Sequence, residues 1–274
     1  MGPMPRTILV GILNVTPDSF SDGGQFQDTE EAVAAGVAMV EEGADWIDVG
    51  GESTRPGAVP VPEPEERARV IPVIAELAAR IGSRARISVD TYKSGTAHAA
   101  LVAGATIVND ISGGLLDPDI LRVAAGEGAS VVLGHLRGTP ETMMEAIWFG
   151  DVVVEVGEEL DARVWAARSA GIKEIYADPG IGFGKKLQHN LRLLVDLPQL
   201  CDRLGVPVLV GPSRKGFIGE LTQREPEHRA FGTAAAVAAA VKGGAAAVRV
   251  HDVAAMRDVL LVTEAIAAAS PDRA

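Results

Sequence analysis

Eight short, largely β-branched runs alternate along this chain with longer, alanine-rich segments. Each run is apolar at successive positions, which is typical of parallel strands covered on both faces. The longer segments carry apolar residues at helical spacing. The runs cover 8–13, 46–49, 87–89, 106–108, 130–134, 174–177, 207–210 and 246–250, and the predicted helices cover 29–43, 63–81, 93–103, 118–127, 150–170, 189–204, 228–242 and 252–269.

Eight strand–helix units in 274 residues match the (β/α)8 TIM barrel, an α/β fold whose usual length is about 250 residues. A doubly wound open sheet is the structural alternative, but eight regular units without a domain break favour a closed barrel. The Pro-rich stretch 56–66 is interpreted as a loop within one unit. The sequence therefore predicts one domain over residues 1–274, with the active site at the C-terminal ends of the strands.

Composition excludes several classes of protein. The formal charge of −12 disfavours binding to nucleic acid or to an acidic membrane surface, so a small anionic substrate would need a local cluster of cations. Cys201 is the single cysteine, which excludes an intrachain disulfide and a cysteine-built zinc site. No stretch approaches about 18 uninterrupted apolar residues, and no secretory signal is recognisable. We therefore expect a soluble cytoplasmic protein without a membrane partner.

Polar residues follow nearly every predicted strand. In a parallel barrel these strand ends converge on one face, where the βα loops build the active site. An Asp or Asn at one strand end could equally cap the next helix, but eight such ends together favour a site. The residues are Asn14, Asp48, Asp90, Asn109, Asp110, His135, Asp178, Ser213, Arg249 and His251.

The loops after these strands combine glycines, hydroxyls and cations. The stretches VGGESTRPGA (49–58), ADPGIGFGKK (177–186), VGPSRKGFIG (210–219) and VRVHDV (248–253) are the clearest examples. Loops after strands 7 and 8 commonly bind phosphate in this barrel, and their cations supply the positive charge that the whole chain lacks. Plainer interpretations are an ion pair for Arg214 and a buried, satisfied histidine for His135.

Taken together, seven stretches in order resemble the dihydropteroate synthase family over essentially the whole chain. They read NVTPDSFSDGG, DVGGESTRPGA, ISVDT, IVNDISGG, DPGIGFGK, GPSRKGFIG and RVHD. The resemblance implies a TIM barrel that joins 4-aminobenzoate to 6-hydroxymethyl-7,8-dihydropterin diphosphate. The products are 7,8-dihydropteroate and diphosphate, and the cofactor is Mg2+.

The resemblance also implies roles for individual residues. Asp90, Lys215 and Arg249 would act in catalysis, and Asn14 would bind Mg2+ with help from first-loop acids such as Asp22. The implied diphosphate site is Thr54, Arg55, Arg249 and His251, and the implied pterin site is Asp90, Asn109, Asp178 and Lys215. The implied aminobenzoate site is Phe183, Ser213 and residues such as Phe20 in the first loop (14–24), whose length is typical of a mobile lid.

One position departs from the family pattern. The family commonly has Met before the strand-5 histidine, where this chain has Gly134. The missing side chain predicts a roomier pterin pocket, refilled by Ile111 or Leu136. A lost apolar contact would weaken pterin binding by about 1–2 kcal/mol.

Three other functions were weighed against this one. A pterin-binding methyltransferase shares the barrel but needs no diphosphate site, so the SRK and RVH stretches argue against it. A non-catalytic pterin-binding paralogue should have lost lid or diphosphate-site residues, and this chain has both sets. A Schiff-base aldolase usually carries its lysine within a strand, whereas Lys215 lies past strand 7. The family resemblance also implies a homodimer through the alanine-rich segments 233–247 and 254–269, although helix-on-barrel packing explains their composition equally well.

Overall fold

The computed structural model describes residues 6–16 and 25–269. Eight parallel strands form one sheet in the order β6-β5-β4-β3-β2-β1-β8-β7. A parallel bridge between Ala177 and Val208 joins the two outer strands and closes the sheet, which confirms the (β/α)8 barrel and excludes the open-sheet alternative. The strands are β1 (Ile8–Asn14), β2 (Trp46–Gly50), β3 (Arg86–Asp90), β4 (Ile107–Asp110), β5 (Ser130–Gly134), β6 (Ile175–Asp178), β7 (Leu209–Val210) and β8 (Ala247–Val250).

The predicted helices all form, with two differences. They are α1 (Gln25–Glu41), α2 (Glu63–Ile81), α3 (Ser94–Val102), α4 (Asp119–Gly126), α5 (Val152–Ser169), α6 (Leu187–Val195), α7 (Leu197–Leu204), α8 (Gly216–Thr222), α9 (Ala230–Lys242) and α10 (Val253–Ala268). The single helix predicted over 189–204 is broken at Asp196, because Pro198 fits the first turn of a new helix but not the interior of a continuous one. Helix α8 was not predicted, since its sequence GFIGELT contains two glycines.

The core has two layers. One large aliphatic cluster lies between the strands and the helices, and it includes alanine side chains of the helices. Inside the barrel lies a separate cluster that draws one residue from each of seven strands: Val10, Trp46, Ile107, Val132, Tyr176, Leu209 and Ala247.

The candidate site lies directly above this inner cluster. Side chains two positions further along a strand face the same side. The residues at those positions are Ile12, Asp48, Asn109, Gly134, Asp178, Gly211 and Arg249. Six of these seven are polar or glycine, so the apolar filling of the barrel stops abruptly towards its C-terminal end.

Candidate active site

A cleft lies at the C-terminal end of the barrel. Six of the sequence-predicted site residues meet there, although they come from strands and loops far apart in the chain. The cleft is lined by Asp90, Asn109, Ile111, Gly134, His135, Asp178, Gly180, Phe183, Gly211, Lys215 and Arg249.

Arg249 links two carboxylates across the barrel. Its Nε donates to Oδ2 of Asp48 at 2.5 Å, and its Nη2 donates to Oδ2 of Asp90 at 2.6 Å. All three side chains are largely buried. Burial raises the pKa of Asp90 to about 7, against the opposing charge of Arg249 and with a further contribution from the charge of Asp48. The guanidinium is thus shared between two carboxylates.

Asn109 and Asp178 present hydrogen-bonding groups on the neighbouring walls. Asn109 donates from Nδ2 to Oδ2 of Asp48 at 2.9 Å. Asp178 accepts at Oδ1 from the backbone N–H of Gly180 at 2.7 Å, which orients the carboxylate at the strand end. Burial raises the pKa of Asp178, and the backbone bond and the charge of Lys215 oppose that shift.

Lys215 directly precedes α8 and lines the cleft. Its Nζ lies 3.8 Å from the centroid of the Phe183 ring. Burial lowers the pKa of Lys215 to about 8, with a contribution from the charge of Arg249. Gly182 must be glycine here, because it has a φ of +82° and a Cβ would lie 2.9 Å from Cδ of Lys215.

Thr54 and Arg55 lie in the second loop, after β2, and are not among the residues that line the cleft. Thr54 is half-buried and Arg55 is exposed. The charge of Arg55 contributes to lowering the pKa of Lys215, which places the guanidinium within electrostatic range of the site. Glu52, in the same loop, accepts from the hydroxyl of Tyr92 at 2.7 Å and pairs with Lys93, and it thereby anchors the start of the loop.

Ser213 and His251 contact each other and are not among the residues that line the cleft. Oγ of Ser213 lies 2.9 Å from Nδ1 of His251 and also accepts from the His251 backbone N–H at 3.2 Å. Burial and the charge of Arg249 lower the pKa of His251 to about 3, so its imidazole is neutral. Arg214 forms an ion pair with Asp252 at 2.5 Å, as its plainer interpretation predicted.

Asn14 ends β1 and is half-buried, in register with Gly50 of β2. Its side-chain amide oxygen is a suitable Mg2+ ligand by chemistry. No group of three or more His, Cys, Asp or Glu that could hold a metal ion occurs among the described residues. Asp22 and Phe20, to which the resemblance assigns metal and lid roles, lie outside the described part of the chain.

Sequence reasoning did not predict a buried network in the wall of the cleft. His135 is 1% exposed, and its Nε2 lies 3.0 Å from a carboxylate oxygen of Glu159 while its Nδ1 lies 3.0 Å from Nζ of Lys185. Burial lowers the pKa of His135 to about 3, and burial lowers the pKa of Lys185 to about 7. Lys185 also donates to the carbonyl oxygen of Phe183 at 3.0 Å, so the network holds the wall that carries Phe183. The plainer interpretation of His135 as a satisfied buried histidine agrees with these contacts.

The space next to Gly134 is filled by backbone. A Cβ built on Gly134 would lie 2.6 Å from both Cα and the carbonyl oxygen of Ile111. Ile111 was one of the two residues expected to refill the pocket, but it does so with its main chain. The expectation of a roomier pocket at this point is therefore wrong.

Comparison with known proteins identifies the family. The model for the pterin binding enzyme family matches residues 10–251. The chain belongs to the pterin-binding enzyme family. A relative in that family, dihydropteroate synthase of Synechocystis, is 48% identical over 264 residues, which cover 95% of this chain and 90% of the relative.

Solved structures of the family give the same result. Dihydropteroate synthase of Xanthomonas albilineans with 4-aminobenzoic acid is 49% identical, has a TM-score of 0.89, and the match covers 97% of this chain and 94% of that one. The complex of the Xanthomonas enzyme with 7,8-dihydropteroate is 47% identical with a TM-score of 0.86, over 97% and 95% of the two chains. The resemblance inferred from the seven sequence stretches is confirmed.

Proposed function

We propose that this chain is a dihydropteroate synthase, a transferase of folate biosynthesis. The observation that carries the proposal is the meeting of Asp178, Asn109 and Lys215 with Arg249 and Asp90 in one cleft of a pterin-binding barrel. The first three residues offer acceptors and donors for a heterocycle. Arg249 offers positive charge for an anionic leaving group, and Asp90 offers negative charge for the carbon that it leaves. Two of the related structures contain 4-aminobenzoic acid and 7,8-dihydropteroate.

The pterin ring is bound by hydrogen bonds to its edge. A buried carboxylate such as Asp178 accepts from two adjacent N–H groups, and the pterin 2-amino group with N3–H supplies such a pair. Asn109 adds an edge contact, and Lys215 donates to the ring carbonyl or N5. Unpaired polar groups in this buried cleft would be costly, so the site favours a ring that satisfies them all.

The reaction replaces diphosphate by the arylamine at the exocyclic methylene of the pterin. The C–O bond to diphosphate breaks and its electron pair leaves with the diphosphate, the amine nitrogen forms the new C–N bond, and that nitrogen then releases a proton to solvent. Asp90 stabilises positive charge that develops at the methylene as diphosphate departs. Arg249 and Arg55, with Thr54 and His251, stabilise the negative charge on the diphosphate.

The aminobenzoate site is assigned to Phe183 and Ser213. Phe183 lines the cleft and is held through its carbonyl oxygen by Lys185, so its ring has a fixed place beside Lys215. Ser213 lies at the same end of the barrel, next to His251. These two assignments rest on the family resemblance and on proximity to the cleft.

We assign Asn14 as the protein ligand of Mg2+. One amide oxygen fits a site completed by diphosphate oxygens and water, which is how Mg2+ is commonly held in phosphate-transferring sites. Bound there, Mg2+ would neutralise negative charge on the leaving diphosphate. We expect Mg2+ to bind measurably only with pterin diphosphate present, and Asn14→Leu to weaken that binding.

We further propose that residues 1–274 act as one cytoplasmic domain and that two chains form a homodimer. No helix among the described residues is long and apolar enough to cross a bilayer. Phe231 at the start of α9 and Leu261, Val262 and Ile266 on α10 are exposed apolar residues on two helices that pack together. Light scattering should give the mass of a dimer, and Phe231→Glu with Ile266→Glu should give that of a monomer.

The function is tested by incubating the purified protein with dihydropterin diphosphate and 4-aminobenzoate, with and without Mg2+. Dihydropteroate measured by mass, with one diphosphate released for each product, would support the proposal. Binding of pterin diphosphate without product would indicate a non-catalytic paralogue. Neither binding nor product would contradict the assignment of the cleft.

A further inference from the structure

Asp48 lies beneath the cleft and contacts two of the groups that face the substrate. It is 1% exposed and does not itself line the cleft. Its Oδ2 accepts from Nε of Arg249 at 2.5 Å and from Nδ2 of Asn109 at 2.9 Å, while its Oδ1 has no hydrogen-bond partner among the described residues. One carboxylate oxygen thus connects the pterin side of the site to the diphosphate side.

We propose that Asp48 is a positioning residue that fixes the side chains of both Asn109 and Arg249 for the reaction. This inference rests on the proposed function. The family resemblance implies no role for Asp48 beyond that of a polar residue at a strand end.

The effect on Asn109 follows from the chemistry of the two groups. An ionised carboxylate only accepts hydrogen bonds, so the amide atom that faces Asp48 must be the nitrogen. The amide oxygen of Asn109 is therefore left for the substrate, and the residue reads an N–H donor on the pterin edge. Without Asp48 the amide could rotate and present its nitrogen instead, which would reverse its hydrogen-bonding preference.

The effect on Arg249 follows from the division of its donors. Asp48 engages Nε and Asp90 engages Nη2, so the guanidinium plane is held at two edges. A planar group fixed in this way keeps its remaining N–H groups in one direction. Removing the Asp48 contact leaves Arg249 free to turn about its bond to Asp90, away from a departing diphosphate.

The test compares Asp48→Asn, Asn109→Asp and the double variant, which restores one carboxylate and one amide with their places exchanged. The probes are 6-hydroxymethylpterin for binding and pterin diphosphate for kinetics. Each single variant should weaken pterin binding about tenfold, because Asp48→Asn replaces a charged acceptor by a neutral amide and Asn109→Asp removes the donor. The double variant should recover pterin binding, whereas its kcat should stay low because Arg249 has lost the carboxylate that held Nε.

The matched control is Ser88→Ala. Ser88 pairs with Asp48 in the β2–β3 register and is a buried polar residue whose Oγ also has no partner among the described residues. Replacement of Ser88 should change pterin binding and kcat by no more than about twofold. Thermal unfolding of every variant shows whether it is folded, and Asn109→Asp carries the test alone if Asp48→Asn does not fold.

The inference is overturned if folded Asp48→Asn binds pterin and turns over as the unaltered protein does. It is equally overturned if Asn109→Asp, which keeps an acceptor for the substrate but loses the donor to Asp48, binds pterin normally. If the double variant binds pterin no better than the product of the two single effects predicts, the proposed effect of Asp48 on Asn109 is wrong. An unaltered protein that forms no dihydropteroate would instead contradict the proposed function.

Discussion

The two ends of the barrel interior carry charge in different ways. At the N-terminal end, Arg86 pairs with both oxygens of Glu174 at 3.1 and 3.0 Å and donates to Ser130 at 2.7 Å. Tyr176 also donates to Glu174, at 3.0 Å. One cation meets one anion there, and hydroxyl groups satisfy what remains.

The C-terminal end has no such match. Arg249 pairs with both Asp48 and Asp90, so one cation meets two carboxylates, and one oxygen of Asp48 has no partner among the described residues. Burial shifts the pKa of Asp90 up to about 7 and the pKa of Lys215 down to about 8. Shifted pKa values of this kind are common where a site awaits a charged ligand. The comparison indicates that the N-terminal end serves stability and the C-terminal end serves the reaction.

The largest expected effect is that of Arg249→Met. Loss of a fixed cation opposite a developing anion should reduce kcat/KM by about 100-fold or more. Two buried carboxylates would also lose their counter-ion, which should lower the free energy of unfolding by about 3 kcal/mol. Steady-state kinetics and urea titration measure the two effects, and activity within tenfold of the unaltered protein would contradict the division between the two ends.

The pH dependence of kcat/KM should sharpen the comparison. Below about pH 7 Asp90 gains a proton and loses the negative charge assigned to it, and above about pH 8 Lys215 loses the proton that makes it a cation. Activity should therefore fall on both sides of a narrow maximum between these values. Lys215→Arg, whose guanidinium stays charged, should lose the alkaline limb. A profile flat from pH 6 to 9 would show that neither group titrates in the free enzyme.

A smaller effect is expected from Gly134→Ala. The new Cβ would lie 2.6 Å from Ile111 backbone atoms, so the main chain must shift. Overpacking of this kind costs about 1–3 kcal/mol. Gly211→Ala is the matched control for stability, because its Cβ would lie 3.7 Å from Cβ of Arg249, an ordinary contact. Equal unfolding free energies for the two variants would indicate that the Ile111 backbone shifts at little energetic cost.

The smallest effect on activity is expected from Arg86→Met. The Arg86–Glu174 pair is partly exposed, so its loss should lower the free energy of unfolding by only about 1 kcal/mol. Because this network lies at the opposite end of the barrel, kcat and KM should not change. A tenfold loss of kcat with little change in stability would show that the two ends are coupled.

Much of this arrangement could be predicted from the sequence. Trp46 and Asp48, or Tyr176 and Asp178, are two residues apart on one strand, so an apolar residue followed by a polar one predicts a barrel interior that ends in a site. The alternation of strands and helices also predicted the fold. The two-residue period of a strand and the 3.6-residue period of a helix are both local properties of the chain.

The partners of these residues could not be predicted. Asp48 and Arg249 are 201 positions apart, and whether they touch depends on the closure and register of the whole barrel. The same applies to His135 with Lys185 and to Glu52 with Lys93, whose separations are 50 and 41. For Gly134, the sequence shows the missing side chain but not the backbone that fills its place.

A crystal structure of the protein with bound 7,8-dihydropteroate would test the central claim most directly. The account predicts the pterin ring in the cleft, with Asp178 accepting from its 2-amino group and N3, and Asn109 presenting its amide oxygen to the ring while its nitrogen stays on Asp48. A pterin ring bound elsewhere, or one contacting neither Asp178 nor Asn109, would contradict it.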